Sequence, residues 1–499
     1  MNAVNIRKYI PYVIFFAVAA FFALSLYHRT PNGDEAIIAE HSYWFDKLGY
    51  VCSNFFGGYL EGEDGWDSRQ YFYHKLFVLT GVGFMKILGF HTYSFRLISL
   101  LFALIFFVFL YGYLKRQRLR FSWSFYLLTI SLLLCNNHFF NQSFMFRPEI
   151  MSMCLGFISF YFLQRSVSSG KLSGVALSGV FAGLATFTHL NGAIYSLAGF
   201  VALLVKKEYR KMLLFSAMAT IFTLLYFFDI HSYEDIHSWL HQFTTDPNVA
   251  GKRPMYIGLL KEQQRFFHSP REVTFTLLLI FSLAFGFKHV KENLRDLLLY
   301  LLTLVIGLGL LAHGPTAYYG LHYFPYIAII VVAGYLHIFR QRSLRVRVLG
   351  ALLLAGFVAV HGFHNVNLIR KRVNIAEHNA KLSAHIPEKN VKIAAPLPFV
   401  FDEIGSYSAI RNEIGWVYHY NIFHPDEPLS LDSYLLFSAE NGSKYVLLDE
   451  LTTGYNLFQM ARKQGLSVND RIGCYELIYK SNTAFLFKNM ELDEDEVSE

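Results

Sequence analysis

Asn32-Gly33-Asp34-Glu35-Ala36 follows directly on an apolar run, Tyr9 to Tyr27, which is itself preceded by Arg7 and Lys8. A run of this length behind a basic pair is long enough to cross a bilayer, and no small-residue cleavage site follows it, so it reads as a retained anchor. Two carboxylates where the chain leaves the membrane are poorly placed for lipid packing. They are well placed for chemistry on something held at the bilayer surface.

The remainder of the chain extends the membrane reading. Its 499 residues are 54% hydrophobic and 16% charged, with 50 Phe, 32 Tyr and a mean hydropathy of +0.32, more apolar surface than a soluble core of this size hides. Apolar runs fall at roughly 9–27, 95–114, 121–140, 150–164, 172–189, 192–205, 212–230, 272–287, 296–312, 323–339 and 348–363, which predicts about eleven crossing helices. The net charge of +7 is spread over short basic blocks between these runs rather than gathered on a soluble face, so it is a topology signal and implies no nucleic-acid partner.

Those blocks fall at every second loop: Arg7-Lys8, Lys115-Arg116, Arg165 with Lys171, Lys206-Lys207, Lys288 with Lys291 and Arg295, and Arg340 with Arg342. By the positive-inside rule these loops and the N-terminus are cytoplasmic, and an odd number of spans puts the C-terminus outside. Two outward loops are long. The first, 28–94, contains an amphipathic segment from Asp34 to Leu48 and a second from Tyr71 to Leu88, read as helices lying on the membrane surface. The second, 231–271, holds Pro247, Pro254 and Pro270 and reads as a lid. Membrane domain 1–363 is followed by a soluble α/β domain, 364–490, with strands at 391–395 and 445–448 and a hairpin of 474–479 with 484–488, and then an acidic tail, 491–499. Of the four cysteines, Cys52 and Cys474 lie outside the cytoplasm, and unpaired thiols are expected there rather than a bridge.

Polar residues converge on the outward side: Asp34 and Glu35 after the first span, Arg147-Pro148-Glu149 after the third, His189 and Asn191 after the fifth, and His313 to His322 with Tyr318 and Tyr319 between the ninth and tenth. A carboxylate ionised at neutral pH can take a proton from an acceptor hydroxyl as it attacks an anomeric carbon. Cations such as Arg147, Lys75 or His189 could stabilise a departing phosphate, and a guanidinium suits it best because it donates to two oxygens at once. Blander readings stand beside these. Asp34 and Glu35 are also what the first turn of a helix prefers, Arg147 and Glu149 also read as an interfacial pair, and His189 as a satisfied histidine at a helix end. Glu234, His237 and His241 share a helix face, which reads as solvated rather than as a metal site.

Asp34-Glu35-Ala36 with Ala39-Glu40 resembles the Asp-Glu-x-x-Tyr-Ala stretch that opens the first outward loop of GT-C superfamily glycosyltransferases, in the branch of protein O-mannosyltransferases and lipid A aminoarabinose transferases. Leu88-Gly89-Phe90 through Phe95-Arg96-Leu97-Ile98-Ser99-Leu100-Leu101 resembles their Phe-Gly…Arg-Leu-Pro-Ser-Leu-Leu entry to the second span. Thr186-Phe187-Thr188-His189-Leu190-Asn191-Gly192 resembles their Thr-Lys-Gly turn, and Pro315, Tyr318 and Pro325 their Pro…Tyr…Pro segment. Three positions depart from the pattern: Ile38 stands for the tyrosine, Tyr73-His74-Lys75 for a Lys-Pro, and His189 for the lysine.

The resemblance implies a polytopic all-α membrane enzyme of GT-C type with a small C-terminal α/β domain, which moves a sugar with inversion from a polyprenyl-phosphate donor to a glycan, lipid or protein acceptor on the outer face of a bacterial inner membrane. Asp34 matches the catalytic aspartate, with Glu35 and Glu149 as further catalytic acids. Arg147, His189, Lys75 and His74 are expected to bind the donor phosphate, and Asn191, Tyr318, Tyr319 and His322 to contact substrate. A divalent cation, Mg or Mn, is expected on Asp34 and Glu149, and no organic cofactor. The rivals are a transporter or flippase of a lipid-linked saccharide, which calls for internal repeats or broken helices that are not evident here, and a membrane scaffold.

Overall fold

The computed structural model describes residues 3–56, 68–116, 122–245, 255–311, 317–424 and 426–492. The first apolar run forms α1 (Ala3–Ser25). Helix α2 (Gly33–Leu48) starts at Asn32, whose side chain accepts the Asp34 N–H at 3.1 Å while Glu35 accepts the Asn32 N–H at 2.8 Å, the reciprocal pair of a capping box. Helix α3 (Lys75–Leu88) packs on α2, with Ser42 Oγ donating to Val78 O at 3.2 Å. Both helices lie where the amphipathic segments of the first outward loop predict them.

The bundle continues through α4 (Thr92–Leu114), α5 (Trp123–Cys135), α6 (Asn137–Gln142), α7 (Pro148–Ser169), α8 (Leu172–Thr188), α9 (Ala193–Val205) and α10 (Tyr209–Leu224). The run at 121–140 is broken at Asn136, which ends α5 and whose side-chain oxygen accepts the His138 and Phe139 N–H groups that open α6. The lid contributes α11 (Tyr233–Thr245), α12 (Met255–Glu262) and α13 (Gln264–Phe267); Pro247 and Pro254 lie outside the described residues. Then come α14 (Pro270–Leu311), α15 (Phe324–Gln341) and α16 (Leu344–Arg370).

Among the described residues six helices are long and apolar enough to cross a membrane, and α1, α5, α8 and the 190–205 segment are shorter apolar helices. Each apolar run read from the sequence falls on one of these. Two runs share the 42 residues of α14, which has non-helical backbone at Leu294. Both ends of α14 reach the lid: Thr276 Oγ1 donates to Phe266 O at 2.8 Å, and Gly309 lies against Leu259. The chain therefore turns back near Leu294, and α14 is two antiparallel passes.

Helices α8 and α10 touch backbone to backbone. A Cβ on Gly179 would stand 2.5 Å from Phe215 O, and one on Gly183 2.6 Å from Ala219 O. Small residues bring helices this close where apolar surroundings supply no other drive to associate.

Beyond α16, α17 (Ile375–Ser383) leads into the C-terminal domain, so the membrane helix outlasts the boundary expected at 364. The domain holds β1 (Lys392–Ala394), α18 (Val400–Glu403), β2 (Ala409–Arg411), α19 (Glu413–Phe423), α20 (Leu431–Glu440), β3 (Tyr445–Asp449), α21 (Leu457–Lys463), β4 (Arg471–Ile472), β5 (Tyr475–Lys480) and β6 (Ala484–Asn489). Its one sheet runs β2-β1-β3-β6-β5-β4, parallel across β2-β1-β3 and antiparallel thereafter. The expected hairpin is β5–β6; the short edge strands β2 and β4 were too brief to read. Among the described residues no disulfide joins any of the four cysteines.

This domain rests on the first outward loop. Val373 N–H donates to His28 O at 2.8 Å, Arg411 to Asn54 O at 3.2 Å, the rings of Phe56 and Tyr418 stack at 6.0 Å, and Leu397 covers Gly33.

The loop itself is fixed by one buried pair. Arg96 of α4 grips Glu35 through Nε and Nη2, both at 2.7 Å, and donates to Arg29 O at 2.6 Å and Thr30 O at 3.1 Å. Glu35 Oε1 also accepts the Phe146 N–H at 2.9 Å. Both side chains are buried. Glu35, expected among the catalytic acids, is therefore a clamp between α2, α4 and the turn before α7, with no face toward a substrate.

Arg96→Met leaves a buried carboxylate without its cation and should cost about 3–5 kcal/mol of stability, read as unfolding in detergent, with Glu35→Gln/Arg96→Met recovering part of it. Gly183→Val should lower the melting temperature by forcing α8 from α10. Gly83→Ala on α3, where a Cβ meets nothing within 4 Å, should raise stability by about 0.5–1 kcal/mol.

Candidate active site at one end of the bundle

Arg147 is the N-cap of α7, extended at φ −138° and ψ 147°, and Pro148 fixes the first helical turn behind it. Its Nε lies 3.2 Å from each Glu149 oxygen and its Nη2 2.6 Å from Oε1. Its Nη1 pairs with Asp34. Glu149 is wholly buried, whereas the Asp34 side chain is 49% exposed, so the guanidinium joins an inner carboxylate to an outer one. The Tyr318 ring lies 4.5 Å from the guanidinium carbon. Asp34, Arg147, Glu149 and Tyr318, far apart in the sequence, thus meet at one point.

His189 ends α8. Its Nδ1 accepts the Asn191 N–H at 3.0 Å, and its ring stacks on His74 at 4.7 Å and meets the edge of Tyr319 at 5.4 Å. Desolvation pushes both imidazoles below their ordinary values, His189 well below, and the His74 ring further disfavours charge on His189. Both are neutral at pH 7. A donor-phosphate contact from either ring would be a hydrogen bond of a neutral imidazole, which can donate or accept one.

Lys75, also expected to bind phosphate, is instead paired with Asp229. Its ammonium lies 4.8 Å from the Tyr226 ring and 5.1 Å from that of Tyr73, and Tyr73 Oη donates to Asp229 Oδ2 at 2.9 Å. The pair ties the start of α3 to the end of α10. The lid is attached nearby: Gln242 Oε1 accepts the Tyr71 N–H at 2.8 Å, and Tyr71 Oη bonds Asp235. His322 lies behind the site, fully buried, with Nδ1 2.8 Å from Tyr195 Oη and Nε2 without a partner. Tyr319 lies between His189 and Arg265, whose guanidinium pairs with Glu262 while Glu262 accepts from Tyr323 Oη at 2.6 Å. His313 and Pro315 lie outside the described residues, whereas Glu234 and His237 are exposed and His241 half-buried on the lid.

The carboxylates expected to hold a divalent cation do not fit one. Arg147 already stands between Asp34 and Glu149, so its guanidinium supplies the positive charge that a metal would bring. No group of three or more His, Cys, Asp or Glu among the described residues is arranged to hold an ion. Sequence reasoning missed Asp229, Arg265 and Glu262. Asp229, an acid at the very end of an apolar run, was the readable signal that a buried cation awaited it.

The family model described as dolichyl-phosphate-mannose-protein mannosyltransferase matches residues 78–232. ArnT from Cupriavidus metallidurans in the apo state superposes with a TM-score of 0.62 at 11% identity, over 96% of this chain and 98% of that one. The same protein bound to undecaprenyl phosphate gives 0.60 at 10% identity, over 96% and 97%. No curated protein sequence matches. The chain is thus a polytopic membrane protein that shares the fold of ArnT over nearly its whole length and resembles the dolichyl-phosphate-mannose-protein mannosyltransferases over residues 78–232.

Proposed function

We propose that this protein transfers a sugar, with inversion, from a polyprenyl-phosphate donor to an acceptor hydroxyl, at the extracytoplasmic end of its helical bundle. The reading is supported above all by Asp34, a half-exposed carboxylate held in place by Arg147, whose own position is set by buried Glu149. Basic blocks at the opposite end of the helices support the assignment of face.

In this mechanism Asp34 accepts the proton of the acceptor hydroxyl. The acceptor oxygen forms the new bond to the anomeric carbon, the bond from that carbon to the phosphate oxygen breaks, and the lipid phosphate leaves with the electron pair. Negative charge grows on the phosphate, and Arg147 is placed to meet it. Its guanidinium carries five N–H donors, of which three are committed to Glu149 and Asp34, leaving two. Glu149 orients that fork, and Tyr318 backs its face. The neutral rings of His74 and His189, with Asn191 and Tyr319, offer hydrogen bonds and stacking surface to the donor, and the C-terminal domain resting over Gly33 borders the acceptor side. In this reading the Arg147 guanidinium between the carboxylates supplies the positive charge at that point.

Asp34→Asn, isosteric and still able to accept Arg147, should fold normally and lose transfer from a polyprenyl-phosphate sugar by about a hundredfold to ten-thousandfold. Full activity in that variant would overturn the assignment. Arg147→Lys keeps the charge but not the fork, and should lose more in kcat than in KM for the donor. Chelation with EDTA should leave wild-type turnover unchanged; loss of turnover restored by Mg or Mn would show that a cation displaces Arg147.

A further inference from the structure

At the end of the bundle opposite the candidate active site, a cleft of about 330 Å³ opens between the C-terminal ends of α4 and α7 and the break in α14. Arg147 and Arg165 mark the two ends of α7, 18 residues or about 27 Å apart along the helix. The cleft is therefore a separate place, one membrane thickness from the chemistry. Three helices each bring one guanidinium to it: Arg116 from α4, Arg165 from α7 and Arg295 from α14. All three are exposed, and none is paired with a carboxylate among the described residues. Arg116 lies over the Tyr161 ring at 5.5 Å, which directs it across the opening. Of the two acids that line the cleft, Asp296 is taken by Lys206, so three guanidinium groups face one uncommitted carboxylate, Glu292. Tyr113, Leu294 and Leu297 border the cleft but are themselves almost wholly buried, so the surface it exposes is mainly polar.

The break at Leu294 is what opens this space. At φ −129° and ψ 28° the backbone leaves the helix, and Arg295 and Asp296 turn toward α7 instead of continuing the apolar face of α14. A convergent set of cations between helix ends at a membrane surface suits a phosphate head held at the bilayer boundary. We propose that this cleft binds the phosphate headgroup of an anionic membrane lipid in the leaflet facing away from the active site. A phosphate fits the three guanidinium forks better than a carboxylate does, because it offers more acceptor oxygens. At the basic end of the bundle the bilayer presents lipid headgroups continuously beside these three helices, which a free ion in solution does not match in local concentration.

The test uses the delipidated full-length protein in neutral detergent, with binding of phosphatidylglycerol, phosphatidylcholine and inorganic phosphate followed by native mass spectrometry and by the rise in melting temperature. The wild type should bind phosphatidylglycerol at least about tenfold more tightly than phosphatidylcholine and show no saturable binding of inorganic phosphate at comparable concentrations. Arg165→Gln alone, at an exposed position with no folding partner, should weaken phosphatidylglycerol about fivefold, and Arg116→Gln/Arg165→Gln/Arg295→Gln about a hundredfold. A control that removes three cations from the same side but outside the cleft, Lys207→Gln/Arg210→Gln/Arg345→Gln, should keep most of the binding. Equal loss in the control would reduce the effect to general surface charge and overturn the site. Inorganic phosphate binding as tightly as the lipid, and lost in the same arginine variants, would overturn the lipid assignment. Neither readout depends on sugar transfer, so failure here leaves the proposed reaction untouched.

Discussion

The Glu35–Arg96 pair is the constraint on which the arrangement at the candidate-site end of the bundle depends. Burying two opposite charges is costly, and the cost is offset only where every donor and acceptor is used. Here Arg96 gives its N–H groups to Glu35, Arg29 O and Thr30 O, and Glu35 also takes the N–H groups of Asn32 and Phe146. One carboxylate thus sets the start of α2, the exit from α1 and the turn that precedes Arg147. About 100° around the helix from Glu35, Asp34 points the other way, toward solvent and toward Arg147. Neighbouring acids divide the work: the buried one builds the frame, and the exposed one meets the guanidinium.

Around that frame, the remaining cations are spent on structure. Lys75 is enclosed by aromatic rings and by Asp229, which locks α3 to α10 and leaves the His74 ring stacked on His189. Arg265 is held by Glu262 under Tyr319. Of the charges gathered at this end, Arg147 alone joins a buried acid to an exposed one. The proposed phosphate contact is therefore given to Arg147, while desolvation holds the His74 and His189 imidazoles below their ordinary values. The C-terminal domain reaches this end through Leu397, which lies over Gly33 at the start of α2.

Much of this was legible in one dimension because membrane helices announce themselves by length and apolarity. The eleven runs all fall on helices, and the two surface helices of the first loop and the β5–β6 hairpin lie where periodicity puts them. The motif order around Asp34, Arg96 and His189 pointed to the fold that the superposition on ArnT shows. Short edge strands such as β2 and β4 carry too few residues to leave a pattern, and the extent of α16 was misjudged by several residues because its last turns are polar.

The sequence by itself determined that the chain is a many-helix membrane protein, which end of its helices carries the basic blocks, and that Asp34 and Arg147-Pro148-Glu149 are acids and a cation in loops. Periodicity and charge bias are local or regional properties, and a linear reading recovers them. Only the tertiary structure decided which charge faces which. Glu35 pairs with Arg96, Lys75 with Asp229, and Arg147 stands between Asp34 and Glu149 in the place where a metal was expected. Those partners lie from 61 to 154 residues apart except within the Arg147-Glu149 step. Whether a charge is spent on a buried partner or left for a substrate is a matter of distance and desolvation, which exist only once the chain is folded.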